Sequence, residues 1–237
     1  MELKDKIALV TGGSRGLGRS IAMHLSNRGA ITVICGRNEE DLVATSESID
    51  GCSYVVADVS SVSDVERMFL TVKRRYGRID LLVNNAGVGV CGPFLEVSED
   101  DLDLVINVNL KGAFFCAQEG ARAMRDQGEG CIVNILSGAA EVGLENLSVY
   151  CASKHALSGL TKSMKVELDH LGIRVVAVSP GYIKTGFFDS FPQGYEIPQD
   201  APSPDVVAEG IVKLLERWPA RRGVREVMRS AKRRLLN

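Results

Sequence analysis

Ile7-Ala8-Leu9-Val10-Thr11-Gly12-Gly13-Ser14-Arg15-Gly16-Leu17-Gly18 is the stretch on which the fold turns. Four apolar residues of strand type run into a turn with glycines spaced G-x-x-x-G-x-G, and an amphipathic helical pattern follows over residues 19–27. A strand, a glycine turn and a helix in that order open a βαβ unit. Glycines at such a turn let the backbone approach a pyrophosphate and let the helix pack close to the strand. The helix N-terminus adds free N–H groups and the positive end of its dipole.

Working outward, short runs rich in Val, Ile and Leu recur at 31–35, 54–56, 81–83, 132–135 and 175–178. Runs of this kind suit strands buried on both faces. Amphipathic stretches separate them. One covers 41–48, and another covers 64–76, where Ser63 and Glu66 are spaced as a capping box. A further helix opens at Ser98, with Asp101 three residues on. A long one over 149–170 carries Leu157, Leu160, Met164 and Leu168 on one side. Alternating β and α units predict an α/β fold, a doubly wound parallel sheet with helices on both faces. No repeat or linker interrupts the pattern, so residues 1–237 are expected to form one domain. Residues 186–203 break the regularity with Phe187, Phe188, Phe191, Tyr195 and several prolines, and read as a lid loop on the substrate side.

Composition narrows the function classes. A net charge of −2 gives no global reason to bind nucleic acid or an anionic membrane. No apolar run approaches the roughly 20 residues that span a bilayer, and residues 1–6 lack a signal-peptide pattern. A cytoplasmic location is the expectation. The six cysteines form no C-x-x-C pair and sit at no metal-ligand spacing with histidine, so no metal is expected. His24, His155 and His170 fall outside the motifs and read as surface or packing residues.

Two further features carry chemistry. The second strand ends in Cys35-Gly36-Arg37, where NAD-binding proteins usually carry an acid for the ribose hydroxyls. Arg37, with Arg15 in the turn, can pair with a 2′-phosphate, which favours NADP over NAD. On the long helix, Tyr150-Cys151-Ala152-Ser153-Lys154 sets a phenol and an ammonium one turn apart. A tyrosine titrates near 10, and a nearby positive charge favours its phenolate.

With these motifs in order, the chain resembles the short-chain dehydrogenase/reductase family. The match rests on the turn at 11–18, Asp58-Val59, Asn84-Asn85-Ala86-Gly87, Asn109, Ser137, Tyr150-x-x-x-Lys154 and Pro180-Gly181-Tyr182-Ile183-Lys184-Thr185. It covers roughly residues 3–186. The resemblance implies a Rossmann-type domain with strand order 3-2-1-4-5-6-7. It implies a hydride transfer between NADP(H) and a ketone, aldehyde or secondary alcohol, with Tyr150 as acid/base. Lys154 would hold the nicotinamide ribose and lower the Tyr150 pKa, Ser137 would bond the substrate oxygen, and Asn109 would hold a relay water. Gly12, Ser14, Arg15, Gly16, Leu17 and Gly18 would cradle the cofactor phosphates, with Arg37 beyond them. Asp58 and Val59 would take the adenine, Asn85, Ala86 and Gly87 the ribose, and Pro180, Gly181, Ile183 and Thr185 the carboxamide end. Asn84 would tie strands together. A homodimer or homotetramer joined near 112–125 and through the Tyr150 helix is also implied.

The C-terminal part departs from the ketoacyl reductases. In place of their glycine-rich end stands Ser203-Pro204-Asp205, a helix start, with a helix to about 218 and a last strand near 223–228. Arg217, Arg221, Arg222, Arg225, Arg229, Lys232, Arg233 and Arg234 make the end basic. It reads as a solvated tail or subunit contact, with docking to an acidic partner such as an acyl carrier, or to nucleic acid, as the alternative. Two other functions remain open at this level: a 3-oxoacyl-carrier-protein reductase, and a non-catalytic NADP sensor, a class that usually lacks the Tyr or Lys. The aromatic lid and the small or apolar residues at 138–144 point to an apolar or bulky substrate rather than a strongly anionic one.

Overall fold

A computed structural model describes residues 1–189, 191 and 197–217. Six parallel strands form one sheet in the order β3-β2-β1-β4-β5-β6. They are β1 (Ile7–Thr11), β2 (Ile31–Gly36), β3 (Cys52–Val56), β4 (Leu81–Asn84), β5 (Gly130–Ile135) and β6 (Ile173–Val178). The seventh strand expected near 223–228, the basic end beyond Arg217, and Tyr195 lie outside the described residues.

The pleat sorts the apolar runs into two cores. Ile7 and Leu9 face one side with Val33 and Ile132; Ala8 and Val10 face the other with Ile34 and Val133. The first side is covered by α3 (Val62–Tyr76), α5 (Ala113–Gln127) and α6 (Ser148–Leu168), through Met68, Phe69, Met124 and Met164. The second is covered by α1 (Gly16–Ser26), α2 (Glu39–Glu47) and α7 (Pro204–Arg217), through Ile21, Leu25, Leu42 and Ile211. Helices on both faces are why the strands read as continuous apolar runs without alternation. Among the described residues, no helix is long and apolar enough to cross a membrane.

Local signals set the helix ends, and one differs from expectation. α4 (Glu99–Ile106) opens with the Ser98–Asp101 capping box. α3, by contrast, is capped by Ser61, whose hydroxyl accepts from the Asp64 N–H at 3.3 Å. Ser63 already lies inside the helix. The Asp64 carboxylate reaches back to the Asp58 N–H at 3.0 Å, and that contact pulls the helix start two residues earlier. α3 ends at Gly77, in the left-handed region at φ 77°.

Between α4 and α5 the chain adopts a π-helical segment, Asn107–Gly112. A shift to i→i+5 bonding inside a helix is rare and recurs at functional positions. Here it carries Asn109. The strand order reverses direction between β1 and β4, and in open α/β sheets ligands bind in the crevice outside such a switch point.

Candidate active site

A cavity of about 480 Å³ opens along that crevice, lined from the glycine turn at one end to Tyr150 and Phe187 at the other. The turn fits only glycine where it matters. Gly12 takes φ +62°, and a Cβ there would stand 2.9 Å from the Ala86 Cα. A Cβ at Gly18 would run into the Gly12 carbonyl. The backbone is thereby left bare beside the α1 N-terminus, where Arg15 at the cap position supplies no side-chain bond to the helix.

Thr11 locks the turn to β4. Its buried hydroxyl donates to the Val83 carbonyl (3.3 Å) and accepts from the N–H groups of Asn85 and Ala86 (both 3.0 Å). The Asn85 amide returns the tie, donating to the carbonyls of Thr11 (2.9 Å) and Gly12 (3.1 Å). Asn85 lines the cavity, but its side chain positions the turn. Asn84 does tie strands, as expected: its amide donates to Asn134 on β5 and to the Ala113 carbonyl, both at 3.0 Å.

The far end of the cavity carries three charged groups, Arg15, Arg37 and Asp58. Arg15 and Arg37 line it from the N-terminus of α1 and the end of β2. Arg28, Arg67, Arg78, Arg122 and Arg125 are held in ion pairs. Arg15 and Arg37 are exposed and belong to none of these pairs. Asp58, beyond β3, also lines the cavity; its Oδ1 accepts from the Ser60 N–H (2.9 Å) and hydroxyl (2.7 Å). Ser14, Gly16, Leu17, Val59, Ala86, Gly87, Pro180, Gly181, Ile183 and Thr185 complete the lining anticipated from the motifs.

At the other end, α6 presents Tyr150 and Lys154 on one face, with Ser137 at the exit of β5. Lys154 is buried, with Nζ 5.7 Å from the centroid of the Tyr150 ring. Burial pushes its ammonium down to about 8. Burial pushes the Tyr150 phenol up, against a weaker downward pull from a hydrogen bond with Ser137. Burial therefore outweighs the expected lowering of the phenol by Lys154 in this arrangement, and Nζ itself donates to the Ile135 carbonyl at 3.0 Å. Ser137 also accepts from the Ala139 N–H at 3.2 Å.

Asn109 is fully buried behind this group. Both amide hydrogens are committed, to the Val88 carbonyl (2.9 Å) and the Ser153 hydroxyl (3.0 Å), and its Oδ1 accepts from the Val88 N–H (2.8 Å). Ser153 in turn donates to the Tyr150 carbonyl at 2.7 Å. The side chain thus pins the loop after β4 to α6.

The sequence profile described as short chain dehydrogenase matches residues 6–196. The chain belongs to the short-chain dehydrogenase family. A 3β-hydroxysteroid dehydrogenase of Mediterraneibacter gnavus is 40% identical over 181 residues, which are 74% of this chain and 65% of that protein's length. A hydroxynaphthalene reductase-like protein of Metarhizium brunneum is 38% identical over 79% of this chain and 72% of its own. The crystal structure of a variant actinorhodin polyketide ketoreductase with NADPH superposes with a TM-score of 0.83 at 31% identity. That match covers 89% of this chain and 90% of the other.

As a short-chain dehydrogenase, this chain is an oxidoreductase of a family that works with nicotinamide cofactors. Its cradle fits such a group: bare backbone at Gly12 and Gly18, a helix N-terminus, and two arginines that, among the described residues, stand in no ion pair. Three contributors were not legible in the sequence. Ser153 reads as one more small residue on the helix. The π-helical segment has no periodicity signature. Gly89 packs against two aromatic rings, with a Cβ there 3.0 Å from Phe187 Cζ and 2.9 Å from Phe191 Cζ. Its only sequence signal is a second glycine-rich run, Gly87-Val88-Gly89, at a strand exit.

Proposed function

We propose that this protein is an NADP(H)-dependent oxidoreductase interconverting a ketone or aldehyde with its alcohol, Tyr150 serving as acid/base. The reading is carried by one observation. Tyr150, Lys154 and Ser137 meet at one end of a cavity whose other end is the glycine turn with Arg15 and Arg37.

The bound nicotinamide would supply the hydride in reduction and accept it in oxidation. Tyr150 gives its hydroxyl proton to the carbonyl oxygen in reduction and takes it back in oxidation. Ser137 donates to the same oxygen, where negative charge develops. An ammonium carries three donors, so Lys154 keeps two beyond the Ile135 bond for the cofactor ribose. Its positive charge beside the ring favours the phenolate as the proton leaves. Asn109 holds the loop and α6 in register, so the three groups stay aligned. Arg15 and Arg37 pair with a 2′-phosphate, and the NADPH bound by the ketoreductase relative supports that choice.

The same reading has the chain working as a single domain in the cytoplasm, as a homodimer or homotetramer joined through α5 and α6. Exposed Phe114 on α5 and Val166 on α6 support that contact. The test is Tyr150→Phe, followed by NADPH oxidation with a panel of ketones and by calorimetry with NADPH. Turnover is expected to fall by about 10²–10⁴ with NADPH affinity kept. Near-full turnover in the variant overturns the reading.

A further inference from the structure

The chamber beyond Tyr150 differs in kind from the rest of the cavity. Among the described residues, the charged groups lining the cavity are Arg15, Arg37, Asp58 and Lys154. The first three sit at the strand ends and helix start of the dinucleotide half, and the fourth lies beneath Tyr150. The walls past Ser137 include Ala139, Val142, Leu144, Leu147, Phe187 and Phe188, with Tyr182 packed against Phe188 as a neutral polar neighbour. An anionic substrate body would lose its hydration there without gaining a charged partner among the described residues.

Over Tyr150 the wall is aromatic and locked. A one-turn helix, Gly186–Phe188, is capped by the Thr185 hydroxyl, which accepts from the Phe187 N–H at 3.3 Å. Phe187, Phe188 and Phe191 meet edge to face, with centroids 5.2, 5.8 and 5.5 Å apart. The Phe187 ring also lies 5.5 Å from the Tyr150 ring, tilted by 52°. The tips of Phe187 and Phe191 rest in the space that Gly89 leaves by having no Cβ.

We propose, building on the reductase reading above, that the substrate is a neutral ketone borne on a flat ring, held against Phe187, with Gly89 and Phe187 as specificity-determining residues. The carbonyl must reach the Tyr150 hydroxyl, which Phe187 overhangs. A flat ring that slides in replaces the Tyr150–Phe187 contact with a ring–ring contact of its own. An aliphatic chain breaks that contact and returns nothing comparable. Aromatic pairs gain about 0.5–1.5 kcal/mol beyond area burial, a factor of roughly two to ten in rate or affinity.

The test compares kcat/KM for 2-tetralone and the carbon-matched chain ketone 2-decanone, with NADPH, in wild type, Phe187→Leu, Phe187→Trp and Gly89→Ala. Wild type is expected to favour the ring ketone by about tenfold. Phe187→Leu should shrink the ring-to-chain ratio by about two- to tenfold, and Phe187→Trp should keep it. Gly89→Ala should raise KM for the ring ketone, and its effect should be less than additive with Phe187→Leu, since both act on one contact. Calorimetry with 2-naphthol on the NADPH-loaded protein should show the same Phe187 dependence without turnover. A ratio near one, or a ratio unmoved in Phe187→Leu, overturns the inference. If that happens while Tyr150→Phe still abolishes turnover, the reductase reading stands. Absence of any turnover, with 2-naphthol binding indifferent to Phe187, overturns both.

Discussion

The Lys154 ammonium donates to the main-chain carbonyl of Ile135 at 3.0 Å, tying α6 to the last residue of β5. The bond points a buried charge at the sheet and holds it beside the Tyr150 ring. Burial brings the lysine down to about 8 and pushes the phenol the other way. In this arrangement the easily titrated member of the pair is the amine.

Stability should carry that signature. Between pH 8 and 10.5 the unfolded chain holds a proton on this lysine that the folded chain has released. On this group's account stability therefore rises with pH across the window and is flat below it. Lys154→Met removes the effect. Denaturant midpoints at pH 7 and pH 10 should show wild type gaining on the variant as pH rises. A constant difference would place the Lys154 pKa at its ordinary value.

Cofactor choice should rest on the arginines. Arg37→Ala is expected to raise KM for NADPH about ten- to hundredfold, the loss of one or two charge-assisted hydrogen bonds, and to change KM for NADH little. Equal effects on both cofactors would remove the 2′-phosphate as the partner of Arg37. Adding Arg15→Ala should lower NADPH preference further.

Gly18→Ala forces a Cβ into the Gly12 carbonyl. Overpacking of this kind costs about 1–3 kcal/mol, and the turn must open to relieve it. Thermal unfolding should show the loss, and NADPH affinity should fall with it. Retained affinity in a folded variant would show that the turn tolerates the shift.

The cap of α3 separates two serines that look equivalent. Ser61→Ala should cost about 1 kcal/mol, as the loss of an N-cap does; Ser63→Ala should stay within about 0.5 kcal/mol, as surface changes do. Urea midpoints of the two variants decide between the positions. A larger loss at Ser63 would return the cap to the place that the Ser-x-x-Glu spacing suggests.

Much of the fold was legible because its signals are local or periodic. Apolar runs of strand length, a glycine turn between strand and helix, and a Ser98–Asp101 cap each act within a few residues of chain. The α3 cap was misplaced because Asp64 answers to Asp58 across the loop, a tertiary partner that outweighs the Ser63–Glu66 spacing. The side-chain partners of Asn85 and Asn109 were hidden for the same reason. Their types and order were visible, but an amide bonds whatever packing brings to it, here Thr11, Gly12, Val88 and Ser153.

By itself the sequence determined the layered α/β architecture, the glycine turn between β1 and α1, and the pairing of Tyr150 with Lys154 one helical turn apart. These follow from backbone conformational limits and the 3.6-residue helical repeat, which need no distant neighbour. The tertiary structure alone decided where the Lys154 proton points, which serine caps α3, and that Phe187 rests over Tyr150 on the bare backbone of Gly89. Each depends on the close approach of chain segments far apart in sequence, and on how much water that approach removes. A pKa and a packing contact are properties of those surroundings, and the linear order of residues does not contain them.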